Sequence, residues 1–140
     1  MKRDAADRIV RAVLSLGRRL RSERAPGTAS LSELSLLSTL NRAGPMPANQ
    51  LAAEERLQPQ SLTRLIMSLE RAGSITRTRS TTDRREISIA LSARGRRVLE
   101  GELRARRAWL SRALATTLTA SERATLLKAT DAMLKLAVHR

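Results

Sequence analysis

A mostly α-helical chain carrying one small β-hairpin is what this sequence predicts, and three observations predict it. Apolar residues recur at steps of three and four along most of the length, as in Ile9, Val13, Leu16 and Leu20, the spacing that gives a helix one buried stripe. Around Ile87, Ile89 and Leu91 the period falls to two, which is the pattern of a strand. Between these patterns stand glycines, prolines and Ser/Thr-x-x-Glu boxes that mark where helices stop and start. At 140 residues the chain reads as a single domain, long enough to bury a core of its own.

The first helix is expected from about Asp4 to Ser22. Ala6, Ile9, Val13, Leu16 and Leu20 form its seam, widened by Val10 and Leu14, and Arg8, Arg11, Arg18, Arg19 and Arg21 occupy the remainder. Such a stripe serves either the chain's own core or a second subunit. Ala25-Pro-Gly-Thr-Ala29 reads as a linker. Ser30 and Glu33 then form a capping box for a second helix that buries Leu31, Leu34, Leu37 and Leu40, and Gly44-Pro45 stops it.

Pro47 suits the first turn of a third helix, through about Arg56, where its missing N–H costs nothing. Leu51, Ala52 and Leu57 face inward there. Glu54 and Glu55, adjacent on that helix and pointing in different directions, read as solvated. Pro59 opens the next helix, Gln58 to Ala72, which Gly73 closes. Leu62, Leu65, Ile66 and Leu69 turn inward, leaving Gln60, Ser61, Thr63 and Arg64 outward. Three short helices with a tight break between the second and third make a helix-turn-helix.

Ile75 to Arg79 and Ile87 to Leu91 are the expected strands, with Thr81-Thr-Asp-Arg-Arg85 at the tip and Ile87, Ile89 and Leu91 on a buried face. Ser92 caps a long helix to about Thr116 that holds Val98, Leu99, Leu103, Trp109, Leu110, Ala113 and Leu114. A second capping box, Thr119 to Glu122, starts a final helix with Leu126, Leu127, Met133, Leu134, Ala137 and Val138 on a broad apolar face.

Composition narrows the function. The formal charge is +14 and the pI about 11.9, which points to a polyanionic partner, nucleic acid before an anionic membrane. Arginine dominates, with only Lys2, Lys128 and Lys135 as lysines, so part of the excess is compositional bias. Its distribution is more informative. From Arg71 to Arg97 eight arginines stand against Asp83 and Glu86, a net charge of +6 over 27 residues.

With no cysteine and the single histidine His139, neither thiol chemistry nor a Cys/His metal site is available. Trp109 is the only aromatic residue, which argues against single-strand readers built on stacking platforms. No apolar run approaches the roughly 20 residues of a membrane span, and MKRDAADR is no signal peptide. A cytoplasmic protein with no membrane partner is expected. No nucleophile–base pair, phosphate loop or paired-carboxylate motif is present, so an enzyme is not expected, and no cofactor or metal either.

A helix that lies in a groove, followed at once by a basic hairpin, is the layout of a winged DNA reader. The major groove admits a helix whose glutamine pairs with adenine, arginine with guanine, and serine or threonine with base or phosphate. Gln60, Ser61, Thr63 and Arg64 offer that chemistry. At the tip, Arg84 and Arg85 are flanked by Arg77 and Arg79, suited to a narrow, electronegative minor groove. Asp83, a carboxylate among them, is expected to accept hydrogen bonds in the turn or to fix an arginine.

Asp83-Arg84-Arg85, followed by Ile87, Ile89 and Leu91-Ser92-Ala-Arg-Gly95, resembles the D-x-R…L-[ST]-x-x-G wing signature of the MarR family of transcriptional regulators. Thr63-Arg64-Leu65-Ile66…Leu69-Glu70-Arg71-Ala72-Gly73…Arg77 resembles the family's recognition helix and its exit into the wing. The likeness spans about residues 31 to 95; the terminal helices agree in placement and length. Gln58 departs from the family's small N-cap, and Pro47 stands where Ser or Thr often caps the preceding helix.

The resemblance implies a winged helix-turn-helix domain over residues 30–92, with its wing at 74–91. Dimerisation helices at 1–24 and 93–140 would complete one regulator domain. A homodimer would bind a pseudo-palindromic promoter site on double-stranded DNA, most simply as a repressor, and a small phenolic or acidic effector would release it. Gln60, Ser61, Thr63 and Arg64 would read the major groove, Arg85 would enter the minor groove, Asp83 would orient the wing arginine, and Arg79 and Arg84 would meet phosphate.

Ile9, Val13, Leu16, Leu20, Leu127, Leu134 and Val138 would form the dimer interface. Trp109, with Leu14, Arg18 and Leu37, would line the effector space between the first, second and fifth helices, although a lone tryptophan among leucines also serves as plain core. Arg18 or Arg106 would neutralise an acidic ligand there. The competing reading is an architectural protein that coats DNA by charge alone, which needs no short polar readers on a helix.

Overall fold

Ser30 shows how the sequence sets the helix starts. In a computed structural model of the protein, which describes residues 2–24, 29–79, 83 and 85–139, its hydroxyl accepts from Glu33 N while the Glu33 carboxylate accepts from Ser30 N. The same reciprocal box forms between Thr119 and Glu122, and the Ser92 hydroxyl accepts from Gly95 N. Each satisfies N–H groups that the first helical turn leaves without a partner.

The element order is α1 (Lys2–Ser22), α2 (Leu31–Ala43), β1 (Met46–Pro47), α3 (Ala48–Glu55), α4 (Pro59–Arg71), β2 (Ile75–Arg79), β3 (Ile87–Leu91), α5 (Ala93–Thr117) and α6 (Ala120–Val138). The protein is thus mostly α with one small antiparallel sheet, as expected. The linker at 25–28 lies outside the described residues.

The sheet has one strand more than the hairpin. Its order is β1-β3-β2, with Met46 opposite Ile89 and Pro47 opposite Ser88 on one side of β3, and Ile75 opposite Leu91 through Arg79 opposite Ile87 on the other. Two residues between a helix stop and a helix start carry no alternation to read. An edge position also tolerates a proline that brings no N–H. Pro47 therefore acts as the extended N-cap residue of α3 rather than lying inside its first turn.

The core gathers around α2. Leu36 and Leu37 of α2, Leu51 of α3, Leu69 of α4, Ile75, Ile89 and Leu99 of α5 are sealed from solvent, each stabilising the fold by roughly 1.5–3 kcal/mol. The apolar stripe of α2 is wider than the expected one. Leu36 joins Leu34, Leu37 and Leu40, whereas Leu31 at the first turn stays exposed. α2 packs against α3, α4, α5 and β3, with Ser32, Ser35 and Arg42 left exposed.

In β3 the alternation buries Ile89 alone: Leu91 is half-buried, and Ile87, at the open end opposite Arg79, is exposed. Glu55 is not simply solvated. It accepts hydrogen bonds from the Ser35 hydroxyl, at 2.7 Å, and from that of Thr39, tying α3 back to α2.

The outer helices are different. Ile9, Val13 and Leu16 of α1 and Leu127, Leu134 and Val138 of α6 are exposed, Leu20 is half-buried, and α6 buries no residue at all. Within the chain, α1 rests on α5, where the Arg19 guanidinium lies 4.8 Å from the centre of the Trp109 ring. No helix among the described residues is long and apolar enough to cross a membrane.

One close approach makes a sharp test of the packing. A Cβ built on Gly95 would stand 2.0 Å from the Ser74 carbonyl oxygen, because α5 starts directly against the exit from α4. The Ser74 carbonyl is backbone that cannot swing aside, and a Leu91 methyl stands 2.9 Å away on another side. Gly95→Ala is expected to lower unfolding free energy by about 3 kcal/mol or more, measured by denaturant unfolding; a change under about 0.5 kcal/mol, the range of an ordinary surface substitution, would contradict the packing.

Candidate nucleic-acid interface

Helix α4 separates its faces cleanly. Leu62, Ile66 and Leu69 are buried against the core, while Gln60, Ser61, Thr63 and Arg64 are exposed, as the spacing predicts. Pro59 occupies the first position, and Gln58 is an extended N-cap residue that makes no side-chain cap bond. The first-turn N–H groups therefore keep a positive helix end without a capping oxygen. The Thr63 hydroxyl donates to the Pro59 carbonyl at 2.8 Å, which leaves its oxygen able to accept.

The far end of α4 is built to turn. Gly73 has φ of 74°, a left-handed conformation that costs a Cβ-bearing residue strain. Gly73 N donates to Glu70 O and Ser74 N to Leu69 O, closing the helix. The chain then enters β2, where Thr76, Arg77, Thr78 and Arg79 are all exposed. Arg77 Nε donates to Glu70 Oε2 at 2.8 Å. That side chain links the wing to α4, a role the spacing alone did not assign.

Asp83 occupies a turn. Its carboxylate accepts from Arg85 N and its carbonyl from Glu86 N, both at 3.0 Å, the first of the two roles expected of it. Arg85 and Arg79 are exposed. Arg84 lies outside the described residues. The exposed polar row on α4 and the arginines of the strands thus belong to consecutive elements joined by one glycine turn and one ion pair.

The residues expected around an effector differ in their surroundings. Leu37 is sealed in the core while Leu14 is exposed. Trp109 is half-buried beneath Arg19, not Arg18, whose guanidinium donates to the Ser15 hydroxyl at 3.1 Å. Arg106 is paired with the buried Glu102 at 2.7 Å. No group of three or more His, Cys, Asp or Glu side chains among the described residues could hold a metal ion.

Comparison with known proteins decides the family. The MarR family profile matches residues 29–87. An HTH-type transcriptional regulator of Mycobacterium tuberculosis is 41% identical over 125 residues, covering 89% of this chain and 87% of that protein. This chain belongs to the MarR family. A crystal structure from Pseudomonas aeruginosa PA01 superimposes with a TM-score of 0.84 at 34% identity, over 99% of this chain and 97% of that one. A MarR family protein from Bacillus stearothermophilus shares the fold at 19% identity, with a TM-score of 0.83 and 99% of each chain covered. The protein is a DNA-binding transcriptional regulator, and the matched segment holds α2 to the start of β3, the helix-turn-helix and the approach to the wing.

The turn at Asp83 yields a prediction with an informative sign. Asp83→Ala removes a negative charge from a basic segment, which on charge alone tightens DNA binding. Loss of the turn acceptor works against this by loosening the wing. A net weakening in a shift assay is expected, with little change in unfolding midpoint; tighter binding would show that Asp83 acts only through its charge.

Proposed function

We propose that this MarR regulator is a cytoplasmic homodimer that represses by occupying a pseudo-palindromic promoter site on double-stranded DNA. The observation that carries this reading is the exposed row Gln60, Ser61, Thr63 and Arg64 on a helix joined directly to an arginine-bearing wing. In this reading the row makes base contacts in the major groove. Arg85 reaches into the minor groove, and Arg79 and Arg84 neutralise phosphate. Residues 30–92 are the DNA-binding part, with the wing at 74–91, and residues 1–24 and 93–140 the dimerisation part.

Dimerisation is supported by the stripes on α1 and α6, where Ile9, Val13, Leu127, Leu134 and Val138 are each between 46% and 76% exposed in the single chain. Two apolar helix faces left in water are costly, and a second copy covers both at once. A two-fold dimer sets its recognition helices one turn of DNA apart, about 34 Å. A small acidic or phenolic ligand that shifts this spacing is the proposed release signal, entering near Trp109 between α1, α2 and α5.

The decisive experiment compares binding to a duplex enriched from random sequence with binding to a scrambled duplex, at two salt concentrations. Equal affinity and one shared steep salt slope would replace this reading with DNA coating by charge. Gln60→Ala is expected to reduce preference at one or two base positions per half-site by about 1–3 kcal/mol, the range of a bidentate contact. Arg85→Ala is expected to weaken binding and relax preference in A/T-rich flanks. Leu134→Asp is expected to give monomers in sedimentation and to lose most affinity for the two-half-site duplex; a dimer that persists would refute the α6 interface.

A further inference from the structure

Ser68 is the one polar side chain of α4 that reaches the body of the domain through a side-chain bond among the described residues. Its hydroxyl donates to Glu33 Oε1 at 2.8 Å, across 35 residues of sequence, while Glu33 Oε2 accepts from Ser30 N at 3.1 Å. The carboxylate is therefore held on both oxygens, one by the start of α2 and one by α4. From these contacts we infer that Glu33 and Ser68 are positioning residues for sequence reading. They fix the roll of α4 so that Gln60 to Arg64 meet the bases in register. This inference rests on the proposed reading of DNA by α4.

The geometry explains why a contact away from DNA matters there. Leu62, Ile66 and Leu69 hold α4 at a fixed depth with its apolar stripe inward, which sets the roll coarsely. A hydrogen bond is directional, and this one is partly buried, so water competes less for it. Ser68 follows Arg64 by four residues, on the same row of the helix. With side-chain tips about 6 Å from the helix axis, each roughly 10° of roll moves them by about 1 Å, enough to break bidentate geometry with a base edge. The fixed carboxylate is what makes the tie stiff, because a Glu33 held at one oxygen only would follow the serine as it moved.

Ser68→Ala separates this role from capping, since it removes the tie and leaves the Ser30–Glu33 box intact. For the experiment, a duplex enriched from random sequence on the wild-type protein is compared with a scrambled duplex. The alanine variant is expected to lose about tenfold in affinity for the enriched duplex, the scale of one hydrogen bond to a charged acceptor. Affinity for the scrambled duplex and the salt slope are expected to stay unchanged, because no phosphate contact is lost. Ser68→Thr, which keeps a hydroxyl, is expected to restore most of the ratio.

The inference is overturned if Ser68→Ala keeps the wild-type ratio within about twofold, a difference of only ~0.4 kcal/mol, or weakens both duplexes alike, or if Ser68→Thr behaves like alanine. If the wild-type protein enriches no sequence, the proposed function falls and this inference falls with it. A wild-type protein that discriminates while Ser68→Ala discriminates equally well removes this inference alone.

Discussion

The core hangs on α2, a helix contacted by α3, α4, α5 and β3. Leu36 and Leu37 have no solvent exposure, and burial of that kind supplies most of the cohesion available to a small core. Around the leucines, polar side chains of the same helix tie down its three helical neighbours. Ser35 and Thr39 bond Glu55 of α3, Glu33 bonds Ser68 of α4, and Asn41 accepts from Arg96 of α5 at 3.0 Å. Apolar packing confines the helices to a small set of crossing angles, and directional bonds at the rim narrow that set. A reader of base edges needs both, because hydrogen-bond geometry to a base tolerates only a few tenths of an ångström.

The charge distribution follows the same division. Against 27 basic residues the protein has 13 acidic ones, and several of these with defined partners hold an element in place. Glu33 and Glu55 tie α4 and α3 to α2, Glu70 ties the wing to α4 through Arg77, Glu102 pairs with Arg106 inside α5, and Asp83 shapes the turn. Of the ion pairs, Arg77–Glu70 is about two-fifths exposed on each side and contributes little to stability. Its value lies in orientation. A carboxylate that holds one arginine in the wing keeps that charge from wandering, at the cost of one unit of attraction for phosphate.

Much of this was legible in the sequence, for identifiable reasons. Caps and stops are local chemistry, so Ser30, Ser92, Thr119 and Gly73 marked helix ends where the structure has them. The outward row from Gln60 to Arg64 followed from the 3.6-residue period. What escaped depended on partners distant in the chain. β1 is a strand only because β3 lies beside it, and Leu36 is core only because four elements pack on α2. Glu55 looked solvated because its hydroxyl partners lie one turn apart on another helix, and Ile87 looked buried because alternation does not say where a sheet ends. Pairing of Arg19 with Trp109 instead of Arg18 is a rotation of one residue, which no periodicity resolves.

Helix α5 is the remaining constraint, since it packs on both α2 and α1. At its start, Gly95 sits against Ser74, and Leu99 and Glu102 are buried in the core beside α2. Further on, Trp109 lies beneath Arg19 of α1. Its 25 residues span about 37 Å without a break. A rigid element of that length converts a tilt of about 5° at one end into a displacement of about 3 Å at the other. The buried Glu102–Arg106 pair stiffens the middle of that lever, because separating it would leave a charge in a place without water. In the proposed dimer, a shift at the outer helices would be delivered through α5 to the spacing of the two α4 helices. The bonds around α2 would then set how α4 presents its polar row.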